Sequence, residues 1–183
     1  HGEGFCYIND PAAAALAVLE EGLCERVAIV DTDVHQGNGT AGIFRHDPRV
    51  FAFSIHQENN YPIPKQKSSL DIGLDDGVRG PQYLARLRGA LDQIFGEFKP
   101  QFMVYVGGVD PYKEDVLGGL LLTIDDMRRR DEMCLMAAAE AGVPFLTTTA
   151  GGYARDVRDT VTMHANTAEV AIEAGKVLRE RCA

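Results

Sequence analysis

The chain has 183 residues, 45% of them hydrophobic, and a formal net charge of −9, so it is one domain's worth of sequence with enough apolar material for a core. The acidic balance excludes a general affinity for nucleic acid, which needs clustered Lys and Arg, and it tolerates a cationic peptide or polyamine. No apolar run approaches the ~18 residues that span a bilayer, and the first residues show no signal-peptide pattern. Cys6, Cys24, Cys134 and Cys182 have no CxxC spacing, which reads as reduced thiols in a cytoplasmic protein.

In chain order, the first predicted element is a helix over 11–21, with Asp10 as N-cap, Pro11 at the first helical position and Gly22 at the stop. β-branched runs then predict strands at 26–30 and 50–55, with a weaker one at 70–74. The polar, Pro-containing stretch 57–76 reads as a long surface loop around that weak strand. A helix over 81–95, a strand at 102–106 and a helix over 124–141 follow, the last stopped by Gly142. A strand at 144–149 and a helix over 155–180 complete the pattern. Such alternation predicts a three-layer α/β/α fold with a mainly parallel central sheet. No linker, internal repeat or low-complexity segment interrupts it.

Ligands of open α/β sheets bind beyond the carboxyl ends of the strands, and three of these exits carry chemistry. Asp31-Thr32-Asp33-Val34-His35-Gln36-Gly37-Asn38-Gly39 follows the first strand, Gly107-Gly108-Val109-Asp110-Pro111 a later one, and Ala150-Gly151-Gly152-Tyr153 the last. Asp33 and His35 are two residues apart, so in extended chain they point the same way. Asp110 offers a third ligand. Three protein ligands and an open position describe a catalytic zinc site, and the mixed O/N set also accommodates iron(II) or manganese. Each motif alone has a plainer reading: a loop cap or Mg2+ site for the DxD, a turn for Asp110-Pro111, a turn before a core Tyr for Gly-Gly-Tyr. An apolar strand followed by Asp31-x-Asp33 also opens a Mg2+-dependent phosphohydrolase motif, but His35 stands where that motif wants Thr or Val.

Taken together, Gly-Phe-Cys-Tyr-Ile-Asn-Asp (4–10), Asp-Thr-Asp-Val-His-Gln-Gly-Asn-Gly (31–39), Phe-Ser-Ile-His (53–56), Gly-Gly-Val-Asp-Pro (107–111) with Asp115 and Leu117-Gly118, and Gly-Gly-Tyr (151–153) resemble the histone deacetylase family in order and spacing. His-Gln-Gly-Asn-Gly, Ser-Leu-Asp-Ile (69–72) and Gly-Gly-Tyr-Ala-Arg are similar to the class IV type and its bacterial relatives. The resemblance implies the arginase/deacetylase fold and a zinc-dependent deacetylase that hydrolyses the amide of an acylated lysine peptide or a small acylated amine by metal-activated water. It implies Zn2+ on Asp33, His35 and Asp110, with Tyr153 hydrogen-bonding the substrate carbonyl. Gly4, Phe5, Tyr61, Gly151 and Gly152 would line the substrate tunnel. Asp31 and Ser54 would belong to a structural K+ or Na+ site, and Phe44, Asp47 and Val50 fall where a second such site lies.

Relatives also carry a His-His pair several residues before the Gly-Phe-Cys motif, whereas this chain begins at His1, three residues before Gly4. Asp31 and Asn38 match the residues that orient that pair. The expectation is that residues 1–183 are the C-terminal part of a single deacetylase domain, better able to bind metal than to catalyse. A non-catalytic metal-binding relative is the alternative. Gly80 stands where relatives have an acidic residue before the helix, which predicts a weaker cap. His56 is expected to be structural, His46 and His164 ordinary surface or helix residues, and Cys6 a packing residue. Glu114 and Asp115 read as solvated loop residues, and Arg128-Arg129-Arg130 as a solvated helix face. The sequence carries no reading of oligomeric state.

Overall fold

The computed structural model describes residues 2–182. Its centre is β1 (Val27–Asp31), a run of β-branched and small residues buried along its whole length, as befits a strand covered on both faces. It is joined by β2 (Val50–Gln57), β3 (Leu70–Leu74), β4 (Phe102–Gly107) and β5 (Phe145–Thr149). All pairings are parallel and the order is β3-β2-β1-β4-β5. The chain winds outward from β1 to β2 and β3, then crosses to the other side for β4 and β5. The strand order therefore reverses between β1 and β4, the point at which such sheets open a crevice at their carboxyl ends.

Alternation along the strands assigns the helices to two faces. Val27 and Ile29 of β1 and Val104 and Val106 of β4 pack with Ala12, Ala15 and Leu19 of α1 (Asp10–Glu20) and Phe44 of α2 (Asn38–Phe44). Ala28, Val30, Met103 and Tyr105 face the larger core with α3 (Gly80–Gln93), α4 (Ile124–Glu140) and α5 (Val157–Cys182). The expected three-layer arrangement is thus observed. No helix among the described residues is long and apolar enough to cross a membrane.

Three local features differ from the sequence reading. The N-cap of α1 is Asn9, whose side chain accepts from the Ala12 amide at 2.9 Å, while Asp10 is already helical. Helix α2 is unpredicted: its sequence NGTAGIF holds two glycines, and it forms because Thr40, Ala41 and Phe44 find burial against the sheet. Helix α3 runs on into a π-helical turn, Ile94–Phe98, closed by Lys99 in the left-handed conformation. The weak cap of α3 is borne out, since Arg79 precedes it without a side-chain bond. A Cβ at Gly80 would lie 2.1 Å from the Asp126 carboxylate, which is itself held in the capping box of α4 with Thr123. Gly22 and Gly142 take positive φ at the helix ends, as read from the sequence.

Candidate metal centre

The ladder between β1 and β4 ends where the Thr32 amide donates to Val106 O at 3.1 Å. Beyond it the two chains diverge, and the side chains of the two exits close the gap. Asp110 Oδ1 accepts from the Val34 amide at 2.8 Å. Asp33 Oδ1 accepts from the His35 amide at 2.9 Å, and its Oδ2 from the Gly151 amide at 2.8 Å. His35 Nδ1 lies 3.0 Å from Asp33 Oδ1 and 3.1 Å from Asp110 Oδ2. One ligand atom from each of Asp33, His35 and Asp110 thus falls within 4.8 Å of the others. The structure brings together the three residues that the spacing nominated.

Gly151 is required by close approach. A Cβ there would meet Asp110 Oδ2 at 2.0 Å and Asp33 Oδ2 at 2.8 Å. Around the site, positive φ belongs to Gly4 and Phe5 and not to Gly151. Gly152 does not line the cavity as expected: it faces Val109, Thr160 and His164, because the chain turns inward there to deliver Tyr153.

Burial and mutual charge set the ionisation of the cluster. Burial works against a charged His35, yet its bonds to Asp110 and Asp33 prevail and raise it to about 10. Burial and the neighbouring Asp33 charge push Asp110 up to about 7. Burial also opposes ionisation of Asp33, but the His35 bonds outweigh it and hold its carboxyl low. Asp31, fully enclosed and close to Asp33 and Asp110, is raised well above the usual carboxylate range. Two oxygen donors and one imidazole nitrogen, crowded in a low-dielectric crevice and neutralised by protons, fit a divalent cation in chemistry and in charge.

Around this cluster lies an open cavity of about 1190 Å3, lined among others by Gly4, Phe5, Asn38, Tyr61, Leu117 and Tyr153. Phe5 and Tyr153 face each other with ring centroids 6.0 Å apart, and Tyr61 stands edge-on to His35 at 6.3 Å. Burial and the charges of Asp110 and Asp33 raise the Tyr153 phenol further, so it keeps its proton at neutral pH and is a hydrogen-bond donor. Its main chain is pinned by Asp115, whose Oδ2 accepts the Tyr153 amide at 2.6 Å and whose Oδ1 accepts Leu117 and Gly118 amides. Asp115 is buried, not solvated: the loop folds over it because it satisfies three amides.

The other nominated residues are placed as follows. Asp31 and Ser54 are register partners on β1 and β2. Asp31 Oδ1 accepts the Asp33 amide at 3.0 Å, and Ser54 Oγ meets His56 Nδ1 at 2.9 Å, leaving His56 buried and structural. Asn38 donates to Glu3 Oε1 at 2.5 Å. Phe44, Asp47 and Val50 line a separate cavity of about 500 Å3, with the Asp47 carboxylate taken by Arg49. His46 is exposed and His164 half-buried on α5. Cys6 is exposed, contrary to a packing role, because residues 2–8 lie on the surface. Arg130 is completely buried. It sits on the inward stripe of α4 with Met127, Cys134 and Leu135, a helical spacing that the run of three arginines concealed.

Three ligand-type residues thus gather at the switch point of the parallel sheet, beside the Tyr153 phenol. The histone deacetylase domain matches residues 1–168, and the chain belongs to that family. An uncharacterised protein of Picosynechococcus sp. is 43% identical over 164 residues, covering 90% of this chain and 55% of the relative. Acetylpolyamine amidohydrolase 1 of Pseudomonas aeruginosa is 36% identical over 164 residues, covering 82% of this chain and 46% of its own. The crystal structure of an acetylpolyamine aminohydrolase from Burkholderia pseudomallei superposes with a TM-score of 0.78 at 25% identity, over 94% of this chain and 51% of that one. The chain spans about half the length of the curated relatives it matches.

Proposed function

We propose that this chain is the metal-binding, C-terminal part of a single zinc-dependent deacetylase domain that hydrolyses the amide of an acylated lysine or a related acylated amine. The reading rests on one observation: ligand atoms of Asp33, His35 and Asp110 converge within 4.8 Å beside a protonated phenol. A divalent ion held there supplies Lewis acidity to a carbonyl oxygen and lowers the pKa of a water.

The protein's own groups do the rest. Asp33, His35 and Asp110 would hold the cation, the two carboxylates supplying negative charge and His35 a neutral imidazole nitrogen. Tyr153 donates a hydrogen bond to the substrate carbonyl oxygen, where negative charge develops as the carbon becomes tetrahedral. Asp115 fixes the main chain from which that hydroxyl projects. Phe5 and Tyr61 offer ring faces to the alkyl part of the substrate, with Gly4 and Gly151 leaving room beside them. None of the residues lining the cavity is Lys or Arg, which suits an amine-bearing substrate. Asp31 and Ser54 are proposed to hold a structural K+ or Na+. Protonation of the leaving amine is assigned to a His-His pair N-terminal to the Gly-Phe-Cys motif, oriented by Asp31 and Asn38, so that residues 1–183 alone bind metal without efficient turnover.

The test is zinc stoichiometry and acyl-substrate turnover. The protein should take up one zinc, and Asp110→Ala should abolish tight uptake. A longer form carrying the upstream histidines should hydrolyse acetyl-lysine peptide or acetylpolyamine. Unchanged stoichiometry in Asp110→Ala would remove that residue from the site, and a metal-loaded longer form without hydrolysis would support a non-catalytic binding protein instead.

A further inference from the structure

Arg130 carries a full positive charge into the floor of the crevice with no exposure at all. Its Nη1 donates to the carbonyl oxygens of Gly108 at 2.5 Å and Thr32 at 3.3 Å. Thr32 is the residue before Asp33, and Gly108 stands two before Asp110. Nε and Nη2 donate to Asp131 Oδ1 at 2.9 and 2.7 Å. Asp131 is anchored in turn by the hydroxyls of Tyr105 on β4 and Thr167 on α5, at 2.5 and 2.6 Å. The Thr32 hydroxyl closes the network on Val106 O at 3.0 Å.

The placement matters because the β1–β4 ladder has ended. Among the described residues no main-chain bond joins the two exits past Thr32–Val106. On the cavity side the Val34 amide bonds Asp110 Oδ1 across the gap; from behind, one Arg130 guanidinium nitrogen grips both main chains. We infer that Arg130 is a positioning residue for the metal centre, setting the separation of the two ligand-bearing loops from α4. This inference rests on the proposed metal site. A fully buried ion pair is a poor source of stability, since desolvation offsets the attraction. A planar fork that spans fixed acceptors is what Arg supplies and Lys does not. Arg130 touches neither substrate nor metal; it acts through the Thr32 and Gly108 carbonyls.

The experiment measures zinc affinity by chelator competition and ligand geometry by the visible absorption of the Co2+-loaded protein. The wild type is compared with Arg130→Lys, with the charge-neutral pair Arg130→Met/Asp131→Asn, and with Arg129→Met as an exposed control. Both Arg130 variants should fold, raise the zinc Kd at least tenfold and shift the cobalt bands, and the control should do neither. Arginine side-chain NMR on the wild type adds a readout that needs no variant: the Arg130 Nε–H and Nη–H signals should shift and exchange more slowly as zinc is added. Folded Arg130 variants with wild-type zinc Kd and cobalt spectrum would overturn the positioning role. So would Arg130 signals indifferent to zinc, which decide the matter even where a variant fails to fold. A wild type that takes up no zinc removes the metal site itself, and this inference with it.

Discussion

Substituting Gly151 by Ala probes the metal centre with a single methyl group. Its Cβ would lie 2.0 Å from Asp110 Oδ2 and 2.8 Å from both Asp110 Cγ and Asp33 Oδ2, well inside contact distance. Neither carboxylate can retreat cheaply. Asp110 is completely buried and held by the Val34 amide, and Asp33 is bonded to the Gly151 amide that would have to move. Overpacking of this kind costs about 1–3 kcal/mol. For a chain of this length that lowers the melting temperature by roughly 2–12 °C. Displacing the groups that orient metal ligands should also weaken metal affinity by roughly 10–100-fold. Thermal melts of the metal-free protein and zinc Kd by chelator competition measure the two effects. Gly89 on α3 is the control: a Cβ there meets open space, and Gly89→Ala should stabilise by about 0.5–1 kcal/mol. A folded Gly151→Ala protein with wild-type zinc Kd would refute the geometry.

Replacing Tyr153 by Phe removes a hydroxyl with no hydrogen-bond partner among the described residues, so stability should stay within about 0.5 kcal/mol and zinc content should be unchanged. Turnover of the longer form should fall by about 10²–10³, and near-normal rates would show that the hydroxyl is unused. Stability of the metal-free protein should depend on pH with a defined sign. Held at about 10 in the fold, His35 contributes stability that is complete below its ordinary value and lost as pH rises through about 10. Asp110, raised to about 7, acts in the same direction over a lower range. Melting temperature should therefore decline between about pH 6 and 10 without metal, and zinc uptake at neutral pH should release protons, measurable calorimetrically in buffers of differing ionisation enthalpy. Finally, Asn9→Ala should cost about 1 kcal/mol in chemical denaturation, and Asp10→Ala much less, because Asn9 makes the capping bond.

The strands were legible because buried parallel strands demand unbroken apolar runs, and residues 27–30 and 102–106 have them. Asp33, His35 and Asp110 were legible for a related reason: strand exits in such a sheet converge, so polar residues just past them meet. What escaped was set by tertiary contact. The sequence NGTAGIF has weak helical propensity, and α2 forms through burial of Thr40, Ala41 and Phe44. Asn9 and Asp10 are both good caps, and only the neighbouring fold decides between them; Asn9 also reaches the Thr40 hydroxyl at 3.0 Å. Asp115 looked solvated because a single loop carboxylate gives no sign of the three amides that will surround it. Arg130 looked solvated because its two arginine neighbours are; Arg128 and Arg129 form exposed pairs with Glu169 and Asp125. The better signal was position, since 127, 130, 131 and 134 fall on one helical stripe.

The location of that arginine explains how a short stretch of chain can assemble a metal site. The ligands come from the exits of β1 and β4, the steric lid from Gly151 after β5, and the tie between the exits from α4. These four elements are adjacent in the sheet or packed directly on it, so each distance in the site is set by one or two contacts. The balance of charge follows the same geometry. Two enclosed carboxylates, Asp33 and Asp110, meet a single imidazole with Asp31 close behind, and the Arg130 guanidinium is already committed to Asp131. Burial and neighbouring charge favour protons on His35 and Asp110, and a divalent ion bound there as proposed would compete with them. On the proposed reading, metal and protons compete for one set of side chains, carried on main chain that Arg130 holds from behind.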